Sequence, residues 1–225
     1  MPPALPPSPV PPPPDFTRLG PLEEPLEGTW PAGQEFARVF AHAYLPDGFN
    51  PGPGGPAVKG RFHFFADPAG RVIPVLYGAD QEDGAIAETV FHDVPVAGPG
   101  RVVLASRLEA LSLTVLRPTR DLRLVQLLGH GLRRLQIRPA NLTDTEASEY
   151  PRTIAWARAF HAARPGVDGL LWMSRQFNSA RALVLFGDWV GAGALEMVKP
   201  PLPLSLGPGR ALVDRAANAA GITIV

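Results

Sequence analysis

At 225 residues the chain is long enough for one large domain or two small ones, and its 45% hydrophobic and 19% charged residues fit a protein with a real core. Lys plus Arg and Asp plus Glu each total 21, so the formal net charge is zero and the basic excess of a general nucleic-acid binder is absent. Cysteine is also absent, which excludes disulfides, thiolate metal sites and a cysteine nucleophile.

Nine of the first 14 residues are proline, a composition that bars a helix or a ladder and favours extended polyproline II. The segment reads as a disordered tail, with a docking ligand for an aromatic groove as the alternative. It has neither the basic start nor the apolar core of a signal peptide. No later run approaches the roughly 18 apolar residues of a membrane span, so a cytoplasmic protein is expected. Pro- and Gly-rich spacing continues to Gly33, which places a tail and linker at 1–33 and the folded domain at 34–225.

Residues 35–42 read as a strand with Phe36, Arg38, Phe40 and His42 on one face. Residues 50–56, all turn formers, read as a loop. Residues 61–66 and 72–77 read as two strands, the second an edge or bulged at Pro74, which lacks a donor. A short helix follows over 82–92, capped by Asp80 or Asp83. Strands are expected at 102–105 and 122–127, and a helix at 149–163 with Ser148 as cap and Pro151 in its first turn. Apolar runs at 167–173 and 182–186 read as buried strands, 211–220 as a helix stopped by Gly221, and 222–225 as a last strand. Strands and helices mix without strict alternation, which favours a single α+β (mixed α/β) domain over a doubly wound sheet.

Several chemistries fail on inspection. HExxH, Gly-x-Ser-x-Gly and Gly-x-Gly-x-x-Gly are absent, so a zincin, a nucleophile elbow and a Rossmann site are not indicated. Glu88 and His92 share one helical turn but lack an obvious third metal ligand. Arg117, Arg120, Arg123, Arg133, Arg134 and Arg138 form the basic concentration of the chain, read either as solvated strand and turn residues or as a phosphate-binding surface. More specific as a set are Arg38 and Arg61 beside aromatics, Tyr77 before a Gly turn, Glu88 eleven residues later, and Ser174 and Arg175 after a strand.

The stretches AlaArgValPhe at 37–40, GlyArgPhe at 60–62, IPVLYGA at 73–79, AIAETVFHD at 85–93, DGLLWMSRQ at 168–176 and ALVLFGD at 182–188 together resemble the RES domain. The resemblance spans roughly Phe36 to Asp188 and is most specific from Tyr77 to Glu88. It implies a fold similar to that of the ADP-ribosyltransferases and an enzyme similar to the toxins of bacterial toxin–antitoxin pairs. Such enzymes consume NAD by glycohydrolysis or phosphorolysis, with inorganic phosphate as co-substrate in the second case. It further implies a helix-turn-helix (Xre-like) antitoxin as partner; a homodimer is left open, and from composition and motifs no metal, direct nucleic-acid or membrane partner is expected. Within that resemblance Glu88, Arg61 and Tyr77 are the expected catalytic residues, and Arg38, Arg61, Tyr77, Ser174, Arg175 and Asn178 are expected to bind the nucleotide.

The chemistry of these side chains agrees. Arginine forks suit a pyrophosphate, a carboxylate suits the oxocarbenium character built on the ribose, and a tyrosine can stack on nicotinamide or hold a hydroxyl. A protein side chain as acceptor would make the enzyme an ADP-ribosyltransferase instead, and the rival reading of another class is a non-catalytic interaction protein on the same fold that binds through its proline tail or Arg cluster. On the enzyme reading, turnover is expected to survive deletion of Met1–Pro14.

Overall fold

Eight strands make one curled sheet. The computed structural model describes residues 9–16, 18, 20, 23–52, 60–96 and 98–225. Among them the strands are β1 (Glu27–Trp30), β2 (Phe36–Ala41), β3 (Val75–Ala79), β4 (Val102–Val103), β5 (Leu111–Pro118), β6 (Leu122–Leu127), β7 (Gly169–Met173), β8 (Arg181–Phe186), β9 (Leu195–Pro203) and β10 (Thr223–Ile224). The helices are α1 (Glu82–Thr89), α2 (His130–Arg134), α3 (Tyr150–Ala163), α4 (Gly187–Val190) and α5 (Gly207–Ala220). The large sheet runs β1-β6-β7-β8-β3-β2-β5-β9, and β4 with β10 forms a separate pair. In the large sheet β6 and β7 are parallel and the other neighbours antiparallel. The result is the expected mixed α+β domain.

Period-two alternation sorts the strand residues onto two faces. Val75, Val125, Leu127, Leu170, Trp172, Val184 and Phe186 face a cluster completed by Trp156, Ala157 and Phe160 of α3. On the same face, Ala37, Val39 and Ala79 pack with Ala85 and Ile86 of α1 and with Val213 and Ala217 of α5. Phe36, Leu76, Leu116, Leu124, Leu171, Leu183 and Leu185 point the other way, and Trp30 from β1 and Leu195 from β9 join them. Both edge strands thus feed one cluster, to which α4 adds Val190, so the sheet curls over this face. Burying these side chains supplies the main driving force, at about 25 cal/mol per Å² of apolar area.

The seam between β2 and β3 is the weak point of the sheet. They pair only at Ala37↔Ala79. Beside that pair, a Cβ on Gly78 would sit 2.5 Å from Phe36 Cδ2 and 3.0 Å from the Ala37 carbonyl. Glycine there lets the two halves of the sheet meet at all.

Several expectations need correction. Trp30 is buried in β1, which pairs with β6, and residues 9–16 lie against α3, so the ordered chain begins well before Gln34. Residues 1–8, and 53–56 of the expected loop, lie outside the described residues. The predicted strand at 61–66 is instead irregular chain with isolated bridges Gly60↔His63 and Ala66↔Val72. Its burial explains why: Arg61, Phe62 and Phe65 are all inside, a pattern no alternating strand gives. Pro74 does not sit in an edge strand; β3 starts one residue later and is central. Neither expected aspartate caps α1. Its N-cap is Gln81, while the Asp80 carboxylate accepts from Arg181 N–H and Nε, both at 2.8 Å. At α3 the N-cap position falls on Glu149 rather than Ser148.

Candidate active site

A cavity of about 420 Å³ opens over the β2–β3 seam, within the size range of small-ligand sites. Val39, Tyr77, Gly78, Trp172 and Ala182 form its floor, and Ala85, Glu88 and Thr89 of α1 form one wall. Arg61, His63, His92 and Tyr150 close the other side.

Glu88 reaches the cavity because α1 lies unusually close to the sheet. Gly84, one turn earlier on the same helical face, has no side chain to hold the helix off: a Cβ there would be 2.6 Å from Ala180 Cβ. The Glu88 carboxylate is then anchored from behind. Ser174 Oγ donates to its Oε1 at 2.6 Å and the Arg175 N–H donates to the same oxygen at 3.1 Å. Both donors come from the turn after β7, so one turn holds one oxygen of the helix's carboxylate twice and Oε2 is left for the cavity. Ser174 is 1% exposed and its Oγ also accepts the Phe177 N–H at 3.0 Å. It therefore orients Glu88 and does not line the cavity itself.

Tyr77 is equally constrained. Its hydroxyl oxygen accepts the Phe62 N–H at 3.2 Å and meets His63 Nδ1 at 2.8 Å. The Gly60 N–H points at His63 Nε2 (3.2 Å), which makes Nε2 the acceptor and puts the ring proton on Nδ1. Burial, reinforced by the charge of His92, pushes the His63 pKa down to about 4, so the ring is neutral at pH 7. Burial also drives the Tyr77 hydroxyl well above its usual range, against the lowering effect of the Phe62 hydrogen bond. With its oxygen taken by two donors, the Tyr77 O–H proton is free for an acceptor in the cavity. Trp172 meets Tyr77 edge-on at 6.0 Å and Phe62 at 5.1 Å, giving an aromatic floor.

Arg61 is 4% exposed. Its Nη1 donates to the Thr145 carbonyl and hydroxyl, both at 3.2 Å, and its guanidinium lies over the Tyr150 ring at 5.7 Å. Its own carbonyl accepts from Thr153 Oγ1 of α3. Tyr150 in turn meets His92 Nε2 at 2.7 Å, and His92 Nδ1 meets Asp93 at 2.7 Å. Burial raises the Tyr150 hydroxyl above its ordinary pKa.

Of the residues expected at the site, Arg61, Tyr77 and Glu88 line one cavity. Ser174 stands behind Glu88. Arg175 lines an adjoining cavity of about 460 Å³ that shares His92, Asp93, Ala147 and Tyr150 with the first. Its Nη1 donates to the Thr145 carbonyl at 2.9 Å and its Nη2 to the Glu146 carboxylate. Two of the expected residues lie away from both cavities. Arg38 is on the face of β2 opposite Val39, where its Nη1 donates to the Pro46 carbonyl at 2.8 Å. Burial there lowers its pKa to about 10, an effect Asp47 partly offsets. Asn178 is exposed in the turn before β8 and lines neither cavity. His63, Tyr150 and Trp172 carry no site role in the sequence reading. Trp172 lies inside the recognised DGLLWMSRQ stretch, whereas nothing local to Tyr150 marks it.

The wider Arg concentration divides. Arg117, Arg120 and Arg123 are tied to Glu196, Asp168 and Glu27 at 3.0, 2.6 and 2.7 Å, which makes them structural. Among the described residues no group of three His, Cys, Asp or Glu could hold a metal ion, and no helix is long and apolar enough to cross a membrane.

The family model described as RES domain matches residues 35–206. No curated protein matches the chain. Among solved structures, the crystal structure of the M. tuberculosis MbcT–MbcA toxin–antitoxin complex contains a chain similar to this one. The two share 15% identity with a TM-score of 0.51, over 85% of this chain and 92% of that one. The match over most of the sequence and the agreement in fold place the chain in a defined class: it belongs to the RES-domain family.

Proposed function

We propose that this RES-domain protein is a toxin-like enzyme that breaks the nicotinamide–ribose bond of NAD and is held in check by an antitoxin. The observation that carries the reading is the carboxylate of Glu88, fixed through one oxygen by Ser174 and Arg175 and facing a partly aromatic cavity with the other. The partner in the reading is motivated by the toxin–antitoxin complex that contains the structural neighbour.

The chemistry follows from the placement of these groups. The C1′–N bond breaks with its electron pair going to the ring nitrogen, so the pyridinium leaves as neutral nicotinamide and needs no proton. Positive charge builds on the ribose, and a carboxylate already held in place stabilises it without reorganising. Trp172 and Tyr77 give the departing ring an apolar surface, and the Tyr77 O–H offers a donor to a carboxamide or ribose oxygen. Arg61 supplies a permanent cation for the pyrophosphate. The adjoining cavity with Arg175 extends the space for the rest of a dinucleotide. Water adding at C1′ and losing a proton completes hydrolysis, and phosphate adding there completes phosphorolysis.

The test is nicotinamide release from NAD by purified protein, with and without phosphate, beside Glu88→Gln. Removing one well-placed electrostatic group is expected to lower kcat about 10²- to 10³-fold with the thermal transition unchanged. A dependence on phosphate separates phosphorolysis from hydrolysis, and labelling of an added protein would mark an ADP-ribosyltransferase. A folded Glu88→Gln protein with full turnover would remove Glu88 from the mechanism.

A further inference from the structure

Residues 9–16 do not line the cavity, yet they are tied to the domain through two of their residues and a carbonyl. Val10 is 3% exposed, and its N–H donates to Glu149 Oε2 at 3.0 Å. The next carbonyl, that of Pro11, accepts from Trp156 Nε1 at 2.8 Å. Phe16 then packs on Phe160 with ring centroids 5.1 Å apart and edge-on against Trp156 at 6.0 Å. Glu149, Trp156 and Phe160 are spaced by seven and four residues, so they form one stripe along α3.

Here Val10 and Phe16 are the side chains that pack inward while Pro9, Pro11 and Pro12 stay exposed; an indole N–H donating to a backbone carbonyl of such an extended segment, with aromatic rings beside it, is a contact by which extended proline-rich ligands are recognised. Proline also fixes φ before docking, so little backbone freedom is lost when such a segment binds. Of the same helix Tyr150 lines the cavity, and Thr153 stands behind it. Tyr150 touches His92, and Thr153 Oγ1 donates to the Arg61 carbonyl. Glu149 makes no side-chain cap to its own helix; its carboxylate is used by Val10 and by Arg152 instead.

We propose that residues 9–16 are a polyproline-type ligand for the Glu149–Trp156–Phe160 groove of the same chain, and that their docking holds the Tyr150–Thr153–Arg61 wall of the cavity in position. Residues 9–16 thus join the folded unit, and deleting them changes the site, contrary to the expectation from sequence. The groove stands independently of the NAD reading; only the effect on turnover rests on it.

The experiment uses a protein lacking residues 1–16 and a synthetic peptide of residues 1–16 as probe. Calorimetry is expected to show saturable binding of the peptide, and hydrogen exchange is expected to show α3 amides deprotected by truncation and reprotected by peptide. NAD turnover is expected to fall on truncation and return with peptide. A folded truncated protein that binds no peptide and keeps its α3 protection overturns the proposal. Should truncation prevent folding, full-length Phe16→Ser and Trp156→Phe replace it, each expected to speed α3 exchange about tenfold; unchanged exchange in both overturns the proposal. Because α3 exchange is read without NAD, an inactive full-length protein would sink the NAD reading while the exchange data still decide the groove.

Discussion

Replacing Ser174 by Ala separates a residue that holds Glu88 from one that touches substrate. The variant deletes a 2.6 Å bond to the carboxylate and leaves the Phe177 N–H without its acceptor. A hydrogen bond to a charged group contributes about 1.5–3 kcal/mol, and an abandoned buried donor costs about 1–3 kcal/mol. The Arg175 N–H still holds the same oxygen, so Glu88 loosens but does not leave. Stability should therefore fall by about 2–4 kcal/mol. Freed rotation of the carboxylate should lower kcat about 10- to 100-fold. KM for NAD should barely move, because no substrate contact is lost. The assay is steady-state nicotinamide release for wild type, Ser174→Ala, Glu88→Gln and the double variant, with a thermal melt of each. If Ser174 acts through Glu88, adding Ser174→Ala to Glu88→Gln costs no further kcat. A large rise in KM, or full additivity in the cycle, would refute this account and return Ser174 to direct nucleotide binding.

The two arginines should behave as their faces dictate. Arg61→Ala is expected to weaken NAD binding about 10- to 100-fold, the loss of one or two charge-assisted bonds. Arg38→Met, on the opposite face, should leave the dissociation constant from calorimetry unchanged; a weakened constant would mean the nucleotide reaches across the sheet. His63 gives a pH signature. Its folded pKa lies near 4 and its unfolded value near 6.5, so between these limits the unfolded state binds the extra proton. Stability is fully present above pH 6.5 and falls as pH drops toward 4, with a slope of up to about 1.4 kcal/mol per pH unit. Denaturant midpoints of wild type and His63→Gln should converge across that window, and parallel profiles would show that His63 is not buried neutral.

Elements carried by local pattern were legible in the sequence. The alternation in 35–42, the apolar runs that became β7 and β8, and the amphipathic α3 with Pro151 in its first turn all gave the right element type. What failed was decided by distant partners. β9 contains Pro200, Pro201 and Pro203 and is tolerated because it is an edge strand. Residues 61–66 look strand-like but are buried at the consecutive positions Arg61 and Phe62 and again at Phe65, with both phenylalanines in the cluster that includes Trp156 and Phe160 of α3. At the site, Glu88, Tyr77 and Arg61 could be named from the family resemblance. The placing of Arg38 on the other face could not, since which strand face meets the cavity depends on where α1 docks. Nor could the neutral tautomer of His63, which is set by Gly60 and Tyr77 together.

Gly84 shows the same limit most sharply and yields a test of it. In sequence, a glycine inside a helix is only a cost, about 1 kcal/mol against alanine. In the structure it sets the distance from α1 to the sheet: an added methyl would lie 2.6 Å from Ala180 Cβ and 3.2 Å from Ala79 Cβ. Neither neighbour can rotate away, so the helix must shift, and overpacking of this kind costs about 1–3 kcal/mol. The propensity gain offsets part of it, and Gly84→Ala should lower stability by only about 0–2 kcal/mol. Glu88, one turn further along, moves with the helix and away from Ser174 and the Arg175 N–H. Misplacement by about 1 Å can cost about 100-fold in rate, so activity should suffer far more than stability. Melting curves and nicotinamide release on the same preparation measure both. A variant that melts higher and turns over normally would mean α1 has slack, and that Glu88 is placed by its own hydrogen bonds rather than by the close packing of its helix.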